Sequence, residues 1–219
     1  MKSFISLVIL IILLSCKENN VAKVFPQNKR NAIFIKEISN KNYRFEMSYS
    51  KDSINKGIIR CDKIVIFDRD KKSNVQEIKI DTIEMNENNI YFSIDEDVNF
   101  DGNNDLCILN YEGSYTVTYT FWLFDKTNHL FNHYEGLDEI QNPVIIKKRK
   151  EICSSWHSGL TSFNQEKYFW KNNLLTLKEK IEENWYDKGY LKTTKLINDK
   201  YVVKDSVIQK NVVMFMKCN

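Results

Sequence analysis

The chain reads as an all-β protein, a single antiparallel sandwich or barrel of about 10–12 strands. Three observations lead there. From Tyr43 onward, short segments rich in β-branched and aromatic residues follow one another, separated by clusters of Asn, Asp, Gly and Lys. The clearest of them, Thr116 to Phe124, places Val117, Tyr119, Phe121 and Leu123 on one face by strict alternation. With only two prolines and six glycines among 219 residues, the turns must be built mostly from Asn and Asp. No internal repeat of fixed spacing exists, which argues against a propeller and for one layered β-domain.

Residues 1–15 start with Met1-Lys2-Ser3 and run apolar from Phe4 to Leu14. The apolar run is about half of the roughly 20 residues a helix needs to cross a bilayer, so it reads as a signal peptide. Leu13-Leu14-Ser15-Cys16 resembles the bacterial lipobox. That likeness implies cleavage before Cys16, lipid attachment on its sulfur, and an outer-membrane lipoprotein facing the periplasm or the cell surface. Lys17-Glu18 resembles the short charged signals of surface lipoproteins. Residues 16–42, rich in Lys and Asn, read as a tether, and 43–219 as the β-domain.

Within that domain, strands are expected at 43–49, 58–67, 76–83, 89–94, 106–110, 116–124 and 129–132, then at 143–147, 165–171, 174–182, 190–195 and 200–207. One segment fits two patterns. Leu174, Leu177, Ile181 and Trp185 follow helical spacing, whereas Tyr168 to Trp170, Lys171-Asn172-Asn173 and Leu174 to Leu177 read as a hairpin.

Charge and cysteine usage narrow the function classes. Residues 1–15 carry one charge, Lys2, so their removal takes the formal balance from +3 to +2, and no nucleic-acid partner is expected. The densest basic run, Lys147-Lys148-Arg149-Lys150, is either a solvated turn or a site for an anionic partner. Once Cys16 is lipidated, Cys61, Cys107, Cys153 and Cys218 remain in a disulfide-permissive compartment, and three pairings are open. A monomer is expected.

The stretch Asp97-Val98-Asn99-Phe100-Asp101-Gly102-Asn103-Asn104-Asp105 carries the most chemistry. Side-chain oxygens stand at positions 1, 3, 5 and 9, a glycine at position 6, and the position 7 carbonyl, Asn103, adds a ligand. Calcium is a hard cation that takes six to eight oxygens, and this spacing wraps one. Ile108 at position 12 and the strand flanks (Ile90, Phe92 and Ile94 before, Leu106 to Leu109 after) exclude an EF-hand. An Asp-Gly hairpin turn is the simpler alternative. The other acidic pair, Asp68-Arg69-Asp70, has Lys72 where a ligand would stand.

No catalytic signature is present: Gly-x-Ser-x-Gly, His-Glu-x-x-His and Gly-rich phosphate loops are all missing. His129 and His133 stand at zinc-like spacing without an intervening general base, and Cys153 with His157 suggests a thiol nucleophile only if the two meet. A non-enzymatic role is therefore expected.

The loop, Asp97 to Leu106, followed by Tyr119-Thr120-Phe121-Trp122-Leu123-Phe124-Asp125, resembles a family of secreted bacterial β-proteins with a single FG-GAP-like calcium loop. The likeness continues through Cys153-Ser154-Ser155-Trp156-His157, Glu166 to Trp170, Leu174 to Glu179 and Tyr190 to Thr194. Upstream it includes Ile64 to Asp68 with Gln76. That family includes periplasmic immunity proteins that inhibit lysozyme-like peptidoglycan hydrolases and share a fold similar to lysozyme inhibitors. The resemblance implies a hairpin over the ambiguous segment, Ca2+ at Asp97, Asn99, Asp101, Asn103 and Asp105, and a partner surface at Trp156, His157, Ser158 and Gly159. Ser158-Gly159-Leu160-Thr161-Ser162 begins like the Ser-Gly-x-x-Tyr loop that some lysozyme inhibitors insert into the hydrolase cleft, but ends in Ser. The alternative is a surface glycan-binding or nutrient-capture lipoprotein, with Trp122, Trp156 and Trp170 as stacking platforms.

Overall fold

A computed structural model describes residues 32–80, 83–185 and 189–207. The expected signal peptide over residues 1–15, Cys16 and Cys218 lie outside the described residues.

Fifteen strands are present among the described residues, in three antiparallel sheets that do not close into a barrel. The first sheet has the order β1 (Ile33–Ser39), β2 (Tyr43–Lys51), β3 (Ile58–Asp68), β4 (Ser73–Lys79), with β5 (Glu84–Asn86) paired to the other end of β3. The second runs β6 (Phe92–Glu96), β7 (Asp105–Glu112), β8 (Val117–Asp125), β9 (Leu130–His133). The third runs β10 (Val144–Ile146), β11 (Glu151–Gly159), β12 (Ser162–Lys171), β13 (Leu174–Asn184), β14 (Tyr190–Ile197), β15 (Lys200–Val207).

The buried alternation explains each sheet. Tyr43, Phe45 and Met47 face inward from β2, and Ile59 and Cys61 from one half of β3. The inward phase then switches to Ile64 and Ile66, because Asp62 is the extra residue of a bulge opposite Ser48 and Tyr49. These side chains pack on Phe92, Ile94, Leu106, Ile108, Trp122 and Phe131 of the second sheet. The reverse face of that sheet presents Cys107 and Phe121 to Ile152, with Tyr168, Trp170 and Leu175 of the third sheet against the same cluster. The second sheet is thus covered on both sides. Covering on both sides is why Leu106 to Leu109 is a continuous apolar run with no alternation. Burying each such large side chain contributes roughly 1.5–3 kcal/mol.

Gln76 fastens the first sheet to the second: its amide donates to the Phe131 carbonyl and accepts from the Phe131 N–H, both at 2.8 Å. Asparagine turns complete the picture. Asn172 and Asn173 between β12 and β13, and Asn198 and Asp199 between β14 and β15, all have positive φ, as two-residue type I′ hairpins require.

Two expectations change, and one is met. Residues 33–39, expected within the tether, form β1 and pair along their whole length with β2. The segment that fits two patterns is strand β13, hairpinned to β12 as the resemblance implies. Residues 151–159, for which no strand is expected, form β11 in the interior of the third sheet.

Candidate functional site

The ligand-rich loop connects β6 to β7 and is organised by its own side chains. Asp97 accepts from the N–H groups of Asp101 (3.1 Å) and Gly102 (2.9 Å), and Asn99 Oδ1 accepts from the same Asp101 N–H at 3.1 Å. Asp101 Oδ1 accepts from the backbone N–H and side-chain amide of Asn103, at 2.8 and 3.0 Å, and Asp101 Oδ2 accepts from Asn99 Nδ2 at 3.1 Å. The tight path needs φ of +60° at Phe100 and +90° at Gly102. A Cβ on Gly102 would meet nothing within 4 Å, so the glycine serves the backbone angle rather than space.

Asp105 behaves differently from the other four. It is 0% exposed, and its two carboxylate oxygens accept from the N–H groups of Val98 (2.8 Å) and Phe124 (2.9 Å). One side chain thereby fixes the start of the loop to β8. Burial pushes its carboxyl up to about 7, the charges of Asp101 and Asp97 push the same way, and the two N–H bonds only partly offset them.

No three His, Cys, Asp or Glu side chains among the described residues form a metal-holding group. A calcium ion here would rest on mixed donors: carboxylates of Asp97 and Asp101, the amide oxygen of Asn99 and the carbonyl of Asn103. The chemistry of that set fits calcium, which accepts amide and backbone carbonyl oxygens alongside carboxylates. The charge balance fits as well. Among the described residues Asp97, Asp101 and Asp105 have no Lys or Arg ion pair, whereas Glu151, Glu166, Glu179 and Glu182 each have one or more.

The loop is also held from the third sheet. Trp170 Nε1 donates to the Val98 carbonyl at 2.8 Å, and the indole meets Tyr134 edge-on with centroids 4.8 Å apart. Tyr134 in turn accepts from the Leu175 N–H at 3.0 Å.

The second candidate surface is the β11–β12 hairpin. Trp156 is half-buried, while His157, Ser158 and Gly159 are exposed, so the four residues proposed from sequence do lie together at one end of the hairpin. Ser158 is the irregular residue between the His157–Phe163 and Gly159–Ser162 pairs, and its hydroxyl accepts from Asn164 Nδ2 at 3.0 Å. The next residue, Leu160, is 107% exposed, and Thr161 is braced by the Trp185 N–H donating to its carbonyl at 2.7 Å.

The remaining sequence candidates separate. His129 lies near the Tyr43 hydroxyl, whereas His133 bonds Asp138 at 2.8 Å, so different partners engage the two. Cys153 is disulfide-bonded and fully buried, which removes it as a thiol nucleophile. Cys61 and Cys107 are buried free thiols, with Cys61 pushed up to about 12 by burial and Cys107 raised by burial as well. Trp122 is 6% exposed and Trp156 and Trp170 are half-buried, so the three form no exposed platform.

Sequence reasoning missed one assembly. Lys178, the extra residue of a bulge in β13, reaches the buried Glu151 carboxylate, which also accepts from Arg149 Nε at 3.1 Å. The Lys147–Lys150 run signals one half of it; the partner strand is not adjacent in sequence.

No protein-family model and no curated protein matches the chain. Among solved structures it is similar to a Xanthomonas type IV secretion system related protein, with a TM-score of 0.61 and 16% identity over 84% of this chain and 97% of that one. At that identity the likeness shows the fold alone.

Proposed function

We propose that the chain is a non-enzymatic, lipid-anchored protein of the bacterial envelope that binds and inhibits a lysozyme-like cell-wall hydrolase, with calcium as a structural ion. The observation that carries the reading is the β11–β12 tip, where Leu160 stands fully exposed beyond Gly159 on a hairpin tied across itself by Asn164 and Ser158 and braced on the β13 side by Trp185. An exposed large apolar side chain on a rigid protrusion suits insertion into a concave partner. Gly159 leaves the backbone open on that flank, since a Cβ there would meet nothing within 4 Å.

Calcium has no chemical step in this reading. Bound by Asp97, Asn99, Asp101 and Asn103, it would neutralise the loop, and Asp105 and Trp170 would transmit that rigidity to β8 and β12. The test is inhibition of a panel of lysozyme-type hydrolases on purified peptidoglycan. Inhibition of at least one at equimolar protein is expected; full hydrolase activity across the panel, with no complex on a sizing column, would overturn the reading.

A further inference from the structure

A hollow of about 490 Å³ lies between the calcium-type loop and the third sheet. Arg149, Lys150 and Lys178 stand around it, Glu151 and Phe169 line it, and Phe100 of the loop contributes to its wall. The volume falls in the range of small-ligand sites. We propose that this hollow binds an acidic sugar: a ring whose carboxylate meets the cations and whose apolar face rests on the aromatic lining.

Charge leads to the anion. Glu151 is buried and bonded to both Arg149 and Lys178, which holds two cations at the hollow. That pairing does not consume the Lys178 ammonium, which has three donors and whose side chain remains 54% exposed at the opening. Lys150, held at φ +52° in the tight turn before β11, adds a cation with no ion-pair partner among the described residues. Glu151 fixes two of the cations at the hollow, and an anionic ligand would pair with the exposed ammonium groups of Lys150 and Lys178.

The lining selects a ring over an extended chain. Phe100, Phe169 and Trp170 supply aromatic surface, and the Asn99 amide, with one of its two N–H donors on Asp101, keeps the other for a hydroxyl group. The strands beneath, β11, β12 and β13, are interior to the sheet and their backbone groups pair with neighbours. An acidic peptide would find no strand edge to extend there. This site shares no residue with the β11–β12 tip, so it goes beyond the hydrolase reading and does not depend on it.

Calorimetric titration of the calcium-loaded protein with a short galacturonate oligosaccharide, a neutral glucose oligosaccharide of equal length and hexaglutamate tests the proposal. Binding of the galacturonate probe alone is expected, weakened at least tenfold by Lys150→Glu and by Lys178→Gln, with circular dichroism unchanged for Lys150→Glu because that turn is exposed. Absence of galacturonate binding, equal binding of the neutral probe, equal binding of hexaglutamate, or unchanged affinity in Lys150→Glu would each overturn it.

Discussion

The Trp170 indole N–H and the Val98 carbonyl meet at 2.8 Å across 72 residues of sequence, joining the second residue of the ligand-rich loop to the third sheet. Val98 is fully buried and its own N–H is taken by Asp105, so both polar backbone groups at this position are satisfied by side chains from elsewhere. Trp170→Phe keeps an aromatic ring against Tyr134 but leaves the carbonyl without its donor. The expected cost is about 1–3 kcal/mol, which in a domain of this size lowers Tm by roughly 2–10 °C. Thermal unfolding with Trp170→Phe beside wild type measures it; equal Tm values would show that the bond carries no stability.

Calcium should stabilise only the folded chain, since the four donor residues, Asp97, Asn99, Asp101 and Asn103, lie within one loop whose geometry the flanking strands fix. With a dissociation constant of order 10⁻⁴ to 10⁻³ M, 10 mM calcium adds about 1.4–2.7 kcal/mol. Differential scanning calorimetry in calcium and in chelator should therefore show a gap of a few degrees for wild type and none for Asp101→Ala. An equal Tm in both buffers for wild type would remove the metal from the account. Asp105→Ala should be worse than Asp101→Ala even in chelator, because it also strips partners from the N–H groups of Val98 and Phe124.

Leu160→Asp places a charge at the most exposed apolar residue of the β11–β12 tip without touching a packed neighbour. Surface changes of this kind alter stability by no more than about 0.5 kcal/mol. Inhibition of the hydrolase should fall by at least tenfold while Tm stays put. Retained inhibition with Leu160→Asp would locate the contact on another face.

The contrast between what the residues announce and what they conceal has a physical basis. Alternation from Val117 to Leu123 and the apolar run at Leu106 to Leu109 are local patterns, and both became strands of the central sheet. Asn172-Asn173 is local too: its positive φ values close a hairpin that the helical spacing of Leu174, Leu177 and Ile181 obscured. Strand β11 gives no such signal, because Glu151, Cys153 and Ser154 are buried by neighbours on both sides rather than by their own hydrophobicity. Its burial is paid for by distant residues: Lys178 for Glu151, and the Gln141 carbonyl for the Ser154 hydroxyl at 2.5 Å. Of the loop, the spacing of Asp97, Asn99, Asp101 and Asn103 was legible, but the separate duty of Asp105 depends on Phe124, which only the β7–β8 register brings near.

Buried acid–base pairing in the third sheet sets the response to acid. Burial raises the Glu151 carboxyl, yet Lys178 and Arg149 outweigh it and hold it below 4.5; burial likewise raises Glu179, and Lys167 with Lys195 hold it below the same value. For such groups the unfolded chain binds protons at higher pH than the folded one. Their stabilisation is therefore complete above about pH 4.5 and disappears as pH falls through the depressed folded values. Asp62 and Glu183, both raised by burial, work in the opposite sense: their contribution weakens as pH rises above the ordinary carboxylate range. Lys178→Met removes one of the two cations holding Glu151 down, which raises that carboxyl and moves its loss of stabilisation to higher pH. Acid unfolding followed by tryptophan fluorescence should accordingly show a higher midpoint pH for Lys178→Met than for wild type, with the difference shrinking in molar salt to the extent that the half-exposed Lys178 is screened. Superimposable acid profiles would mean that Glu151 is held by Arg149 alone, and the bulge at Lys178 would then serve the shape of the sheet rather than its charge balance.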